Sequence, residues 1–191
     1  MALETTKLLT YEDYLAMPEM KQRYEVIDGE LIMTPSPIPI HQWIVANLFR
    51  ALDRFVHERQ LGVVLFAPLD VVIHKAPLRT RQPDLLFLSA ERSGIRGSAQ
   101  LKELQLLHHA PDVVIEVLSA NHTRRELSGK LDDYRTIGVR ECWIVSPEAH
   151  TVEVMRLSPE GTEVLDIFGT GMTIRSEVLE GCTVSVEEVF A

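Results

Sequence analysis

The chain has 191 residues, 46% of them hydrophobic and 25% charged, with a formal net charge of −9. That length suits one well-buried domain spanning residues 1–191, of ordinary globular composition rather than fibrous or disordered. No apolar run is long enough to span a membrane, and the acidic balance argues against a protein that coats nucleic acid electrostatically, though not against an enzyme that binds it in a local groove.

The opening stretch MALETTKLLTYEDY lacks the basic-then-apolar pattern of a secretory signal, so a cytoplasmic location is expected. LTYEDYLAMPE reads as a short helix capped by Thr10, with Asp13 as the capping-box partner. RYEVIDGELIM reads as two strands around Asp28-Gly29, the strongest short hairpin signal. TPSPIP breaks the chain before a long helix over roughly residues 39–59, started near Ser36 or Pro39, whose Ile44, Leu48, Leu52 and Phe55 form one inward stripe.

GVVLFAPLDVVI and QPDLLFLS are rich in β-branched and aromatic residues and read as strands; residues 89–109 read as a loop with some helix. PDVVIEVLS is a further strand. TRRELSGKLDDYRTIG is a helix with Leu127, Leu131 and Tyr134 inward and Gly138 as its stop. ECWIVSP, TVEVMRL and TEVLDIF read as strands, the last two as an antiparallel extension, and SVEEVFA as a closing helical turn. The expected fold is α/β, with one mixed central sheet, an N-terminal hairpin and C-terminal antiparallel strands. Cys142 and Cys182 are not ligand-spaced and read as reduced thiols in or near the core.

Several chemistries have no footing. LSGKL contains a Gly-Lys pair but lacks the rest of a phosphate-binding loop. GxGxxG, GxSxG and HExxH are absent, and the adjacent His108 and His109 would point apart on either a helix or a strand.

What stands out is Glu116 within V-V-I-E-V-L. Val113, Ile115 and Val117 share one face, and Val114 and Leu118 flank Glu116 on the other. A strand apolar on both faces is usually central and covered on both sides. An ionised carboxylate there costs several kcal/mol unless it is paired or bound to metal. The plain alternative is a strand-end glutamate that reaches water or pairs with an arginine. Asp112 shares its face but lies about 13 Å away along the strand, too far to grip one ion with it, and reads as a strand-entry residue.

Asp84, beside a second apolar strand and preceded by the same proline, is the candidate partner; it too could be a solvated strand-start acid. Lys130 sits at the edge of the following helix's buried stripe, or else pairs on the helix surface with Glu126 four residues earlier. Two acids on adjacent strands with a nearby lysine make a set that binds Mg²⁺ or Mn²⁺, polarises a phosphodiester and orients water. HKAPLRTRQPD adds Lys75, Arg79 and Arg81 as a phosphate-contacting edge, or a merely solvated loop.

The segments YEVIDGELIMTPSPIPIHQWIVANLFRAL, RQPDLLFL and PDVVIEVLS…K…Y…GVRECWIVSPE resemble the Uma-type putative restriction endonuclease family, within the PD-(D/E)XK nuclease superfamily. The resemblance runs from about Thr10 to Phe190 and is most specific from Pro111 to Pro147. It implies a restriction-endonuclease-like fold and divalent-metal-dependent cleavage of nucleic acid, with Mg²⁺ or Mn²⁺ as cofactor and DNA as the expected substrate. It implies Asp84 and Glu116 as catalytic metal ligands, the Val117 carbonyl as a further ligand, and Glu25 and His41 near the metal or substrate. Glu25 could instead be an exposed strand acid and His41 a helix cap.

Two residues after Glu116, where the superfamily's lysine stands, this chain has Leu118; the resemblance places that role on Lys130. A two-fold homodimer would suit cleavage of both strands of a duplex. A reading of a different class, a non-catalytic interaction domain that keeps the fold, is favoured by the acidic charge and by Leu118.

Overall fold

The structure is a computed structural model and describes residues 8–18, 20, 22–104, 106–119 and 123–191. The first seven residues, on which part of the expectation about a signal segment rests, lie outside the described residues. Helix α1 (Tyr11–Leu15) begins at Thr10, and the capping box with Asp13 is formed. Strands β1 (Tyr24–Ile27) and β2 (Glu30–Met33) pair antiparallel around Asp28-Gly29. Both turn residues adopt positive φ, 53° and 84°, which the Asp-Gly pair tolerates and a tight two-residue hairpin requires. Helix α2 (Pro39–Glu58) starts with Pro39 in its first turn, and its N-cap Ile38 has no side-chain cap bond. Its predicted stripe is buried.

The next region departs from the sequence reading. GVVLFAPLDVVI is two strands, β3 (Gly62–Phe66) and β4 (Val71–Lys75), separated by a cis Ala67–Pro68 bond. Proline cannot donate to a ladder, so the strand ends there. β4 then pairs with β5 (Leu78–Arg81) across a second cis bond, Ala76–Pro77. The stretch read as a phosphate-contacting edge or a solvated loop is a hairpin. It packs beside β1: the Val26 N–H donates to Thr80 Oγ1 (3.1 Å) and the Gly29 N–H to the Leu78 carbonyl (2.8 Å).

β6 (Leu85–Ser89) is followed by the short helices α3 (Ala90–Ser93) and α4 (Ser98–Leu101), then β7 (Val113–Val117), α5 (Arg124–Thr136) and β8 (Glu141–Ser146). β9 (Thr151–Ser158) and β10 (Gly161–Phe168) form the expected antiparallel extension. β11 (Thr173–Arg175) and β12 (Thr183–Ser185) make a small hairpin that the sequence reading missed, before α6 (Val186–Phe190).

The central sheet has six strands in the order β10-β9-β8-β7-β6-β3. β7 and β8 are parallel, joined through α5, and the other neighbours are antiparallel. This is a mixed sheet flanked by helices. On one face α2 packs Ile44, Leu48 and Leu52 against Leu85, Phe87, Val113, Ile115 and Trp143. On the other, Tyr134 of α5 joins Leu86, Leu88, Val114, Cys142 and Ile144. β7 is thus covered on both sides, as its doubly apolar pattern predicts, and burial of each such side chain contributes about 1.5–3 kcal/mol. Both cysteines are buried and free. No helix among the described residues is long and apolar enough to cross a membrane.

Candidate active site

β6 and β7 run antiparallel with Leu85 opposite Ile115 and Phe87 opposite Val113. Continuing that register one step sets Asp84 opposite Glu116. Side chains alternate along a strand, so Glu116 shares the α5 face with Val114, while Asp84, in the bend just before β6, meets both His41 of α2 and the Val117 N–H. Two acids thus face each other across the inner strands β6 and β7, near one end of their ladder, with only 4% and 1% of their surfaces exposed. Buried charges at such a position need compensation, and each acid has its own.

Asp84 accepts from Arg23 Nη1 on Oδ1 (2.8 Å), and from the Val117 N–H (2.8 Å) and His41 Nε2 (3.2 Å) on Oδ2. Burial works to raise its pKa, but the His41 hydrogen bond and the Arg23 charge outweigh it and hold the carboxyl down at about 2. Asp84 is therefore ionised at neutral pH, which makes His41 Nε2 the donor. His41 Nδ1 is buried with no hydrogen-bond partner among the described residues.

Glu116 accepts from Lys130 Nζ on Oε2 (2.7 Å) and from the Tyr134 hydroxyl on Oε1. Burial pushes its pKa up; Lys130 opposes that, the Asp84 charge adds to it, and the net shift is upward. Lys130 is buried as well. Desolvation works to lower its pKa, yet the charges of Glu116 and Glu25 raise it overall, so the ammonium stays charged. The Tyr134 phenol is pushed well above its ordinary value, mainly by burial, and stays protonated as a donor.

Glu25 comes from β1, outside the central sheet. It lies 3.6 Å from Lys130 Nζ and accepts from Arg81 Nη1 (2.7 Å) and the Gln82 N–H (3.1 Å). Burial works to raise its pKa, but Lys130 and Arg81 lower it on balance. Arg81 also donates to Asp133 of α5 (2.7 Å), and Arg79 links Asp133 (3.0 Å) to Asp28 (2.6 Å). Acids and cations therefore alternate from the hairpin turn to Glu116 of β7.

The structure brings Asp84, Glu116, Lys130, Glu25 and His41 into one cluster. Val117 reaches it through its backbone N–H. Glu126 closes the capping box of α5 with Thr123, while Lys130 faces inward. Leu118 continues the parallel ladder by donating to the Val145 carbonyl (2.8 Å). The three cations of the β4–β5 hairpin separate. Lys75 is exposed and lies over the Tyr11 ring at 4.4 Å, Arg79 is half-buried, and Arg81 is turned inward between Glu25 and Asp133.

Three members of the cluster were not read from the sequence. Arg23 stands two residues before Glu25, the spacing that puts two residues on one strand face, and that period was the available signal. Gln82, beside the Pro-Asp pair, accepts from Arg23 Nε (3.2 Å) and donates to Asp70 (3.1 Å). Tyr134, read as core, is four residues after Lys130 and so on its face of the helix.

No three His, Cys, Asp or Glu side chains stand as a ready metal cage among the described residues. The donors present are nevertheless hard carboxylate oxygens, one held ionised, on facing strand positions. That donor chemistry fits Mg²⁺ or Mn²⁺ rather than a soft metal.

Among curated proteins no relative matches the chain. Of the solved structures it is similar to one from Anabaena variabilis, described as a putative nuclease belonging to DUF820. The identity is 19%, the TM-score is 0.76, and the match covers 95% of this chain and 97% of the other. At that identity the likeness shows the fold: a mixed sheet between helices shared over nearly the whole length. The family model Uma2, described as putative restriction endonuclease, matches residues 11–187. The chain belongs to the Uma2 family of putative restriction endonucleases.

Proposed function

We propose that the protein is a divalent-metal-dependent endonuclease that hydrolyses phosphodiester bonds of nucleic acid, with DNA as substrate. The observation that carries this reading is the facing pair Asp84 and Glu116 with Lys130 Nζ 2.7 Å from Glu116. The carboxylates of Asp84 and Glu116, with the Val117 carbonyl, would hold Mg²⁺ or Mn²⁺. When bound, such an ion polarises the phosphodiester and acidifies a coordinated water.

The chain's own residues supply the rest. Tyr134 and Lys130 fix both oxygens of Glu116, so its carboxylate is pre-oriented. The Lys130 ammonium, held beside that carboxylate, would turn its remaining N–H donors to orient a water and stabilise negative charge on a phosphoryl oxygen. Glu25, 3.6 Å from Lys130 Nζ, adds to the Glu116 charge in keeping the ammonium charged. Lys75, exposed on its hairpin, is the cation of that edge freest to meet a phosphate; Arg79 and Arg81 act first by holding Glu25 and Asp133. A two-fold dimer would present two such sites to the strands of a duplex.

The test is cleavage of supercoiled plasmid and of RNA with Mg²⁺, with Mn²⁺ and with chelator. We expect metal-dependent nicking of plasmid, and a loss of about 100-fold in Lys130→Met, the scale of removing one positioned donor. Undiminished cleavage in chelator or in that variant would contradict the reading. The second reading, a non-catalytic interaction domain, draws on one observation: each site carboxylate is already matched by a protein cation. It predicts no cleavage and no divalent-ion binding.

A further inference from the structure

We propose that Arg23 is an exchangeable counter-ion, which neutralises Asp84 in the metal-free protein and gives up that place when a divalent ion enters. This rests on the metal-dependent reading above. Asp84 Oδ2 already accepts from two donors, the Val117 N–H and His41 Nε2. The first belongs to the backbone of a central strand, and the second to a buried side chain in the first turn of α2. Neither is free to withdraw. Oδ1 accepts from Arg23 Nη1 at 2.8 Å. An ion ligated by Asp84 therefore arrives at Oδ1, where the guanidinium stands. Ligand oxygens sit about 2.0–2.6 Å from such ions. The divalent charge would then lie a few ångströms from the guanidinium, and like charges that close in a partly desolvated site repel strongly.

Arg23 is placed to move. Its side chain is 18% exposed, against 5% for Asp84 and 9% for His41. Its other hydrogen bonds go to one residue: Nε to Gln82 Oε1 at 3.2 Å, and Nη2 to the Gln82 carbonyl. Gln82 is itself pinned. Its Nε2 donates to Asp70, its N–H donates to Glu25, and Asp70 accepts from the Tyr14 hydroxyl at 2.5 Å. The guanidinium can turn on the Gln82 anchor, releasing Nη1 from Asp84 without losing its footing. Lys130, gripped by Glu116 and Glu25 and with 10% of its side chain exposed, has no such freedom. The released Nη1 becomes a free donor beside the ion, suited to a phosphate oxygen.

The experiment is calorimetric titration of Mn²⁺ into the wild type, Arg23→Gln and Arg23→Lys, with the melting temperature of each recorded with and without Mn²⁺. Removing the competing cation should tighten Mn²⁺ binding by about 10-fold or more, given the strength of like-charge repulsion at this range. Arg23→Gln should also melt lower than wild type without metal and gain a larger upward shift with it. Arg23→Lys keeps the charge but lacks the planar fork that grips Gln82, and should fall between the two. Equal or weaker Mn²⁺ affinity in a folded Arg23→Gln overturns the proposal. If that variant does not fold, unchanged affinity in Arg23→Lys overturns it. Absence of Mn²⁺ binding in all three proteins, wild type included, removes the metal-dependent reading and the inference with it.

Discussion

The two Pro-Asp pairs of the chain stand at opposite ends of the central sheet, because β6 and β7 run antiparallel. Asp112, at the start of β7, is fully buried. It accepts from the Ser89 N–H (2.8 Å) and Arg92 (2.9 Å), with Arg140 at 3.6 Å. Arg92 also donates to the Gly138 carbonyl, so this acid ties the end of β6, the start of α3 and the turn after α5 together. Asp84, at the start of β6, has an equally full set of partners. The difference lies opposite each acid. The register sets Asp84 against Glu116 but sets Asp112 against apolar Leu88. One acid among cations is a staple. Two acids facing each other, with a lysine between Glu116 and Glu25, make a centre of concentrated charge that a divalent ion can serve.

The comparison can be broken at either end. Its largest stability effect belongs to the staple. Asp112→Ala should cost about 3 kcal/mol, the lower end for breaking a buried ion pair, because the orphaned Arg92 and Arg140 can turn to water. Chemical denaturation measures this, and Mn²⁺ binding in the folded variant should be unchanged. A variant that kept full stability, or lost the metal, would erase the distinction between the two ends.

A smaller effect belongs to Asp84. Its folded-state pKa, about 2, lies below the ordinary value, so it contributes stability that is present above about pH 4 and lost as pH falls through about 2. The shift is worth about 2 kcal/mol. Asp84→Asn should therefore lose less stability than wild type between pH 4 and pH 2. Glu116 runs the other way. Its pKa is raised, so stability falls as pH rises past the ordinary carboxylate range and this buried acid ionises. Denaturation curves across pH, wild type beside each variant, separate the two opposing slopes. Parallel curves in wild type and Asp84→Asn would contradict the assignment.

These differences mark where the sequence could be read and where it could not. β7 announced itself, because both alternating sets of its residues are apolar except for one glutamate. The stripe of α2 and the Asp-Gly turn were equally plain, since each is a local pattern. The β4–β5 hairpin was not, because it docks on β1 by contacts more than fifty residues apart, such as Val26 to Thr80. Arg23 went unread for the same reason: its period-two spacing from Glu25 does not tell that the start of β1 lies beside Asp84. The identical Pro-Asp pairs could not be told apart at all until the antiparallel register fixed which acid faces another.

The most direct test of the central claim, that Asp84 and Glu116 form one metal centre, is a calorimetric Mn²⁺ titration of wild type beside Glu116→Gln. The account predicts binding in the wild type and its loss in a variant that stays folded, because the amide removes the ligand charge together with its burial cost. Unchanged Mn²⁺ affinity in Glu116→Gln would contradict it.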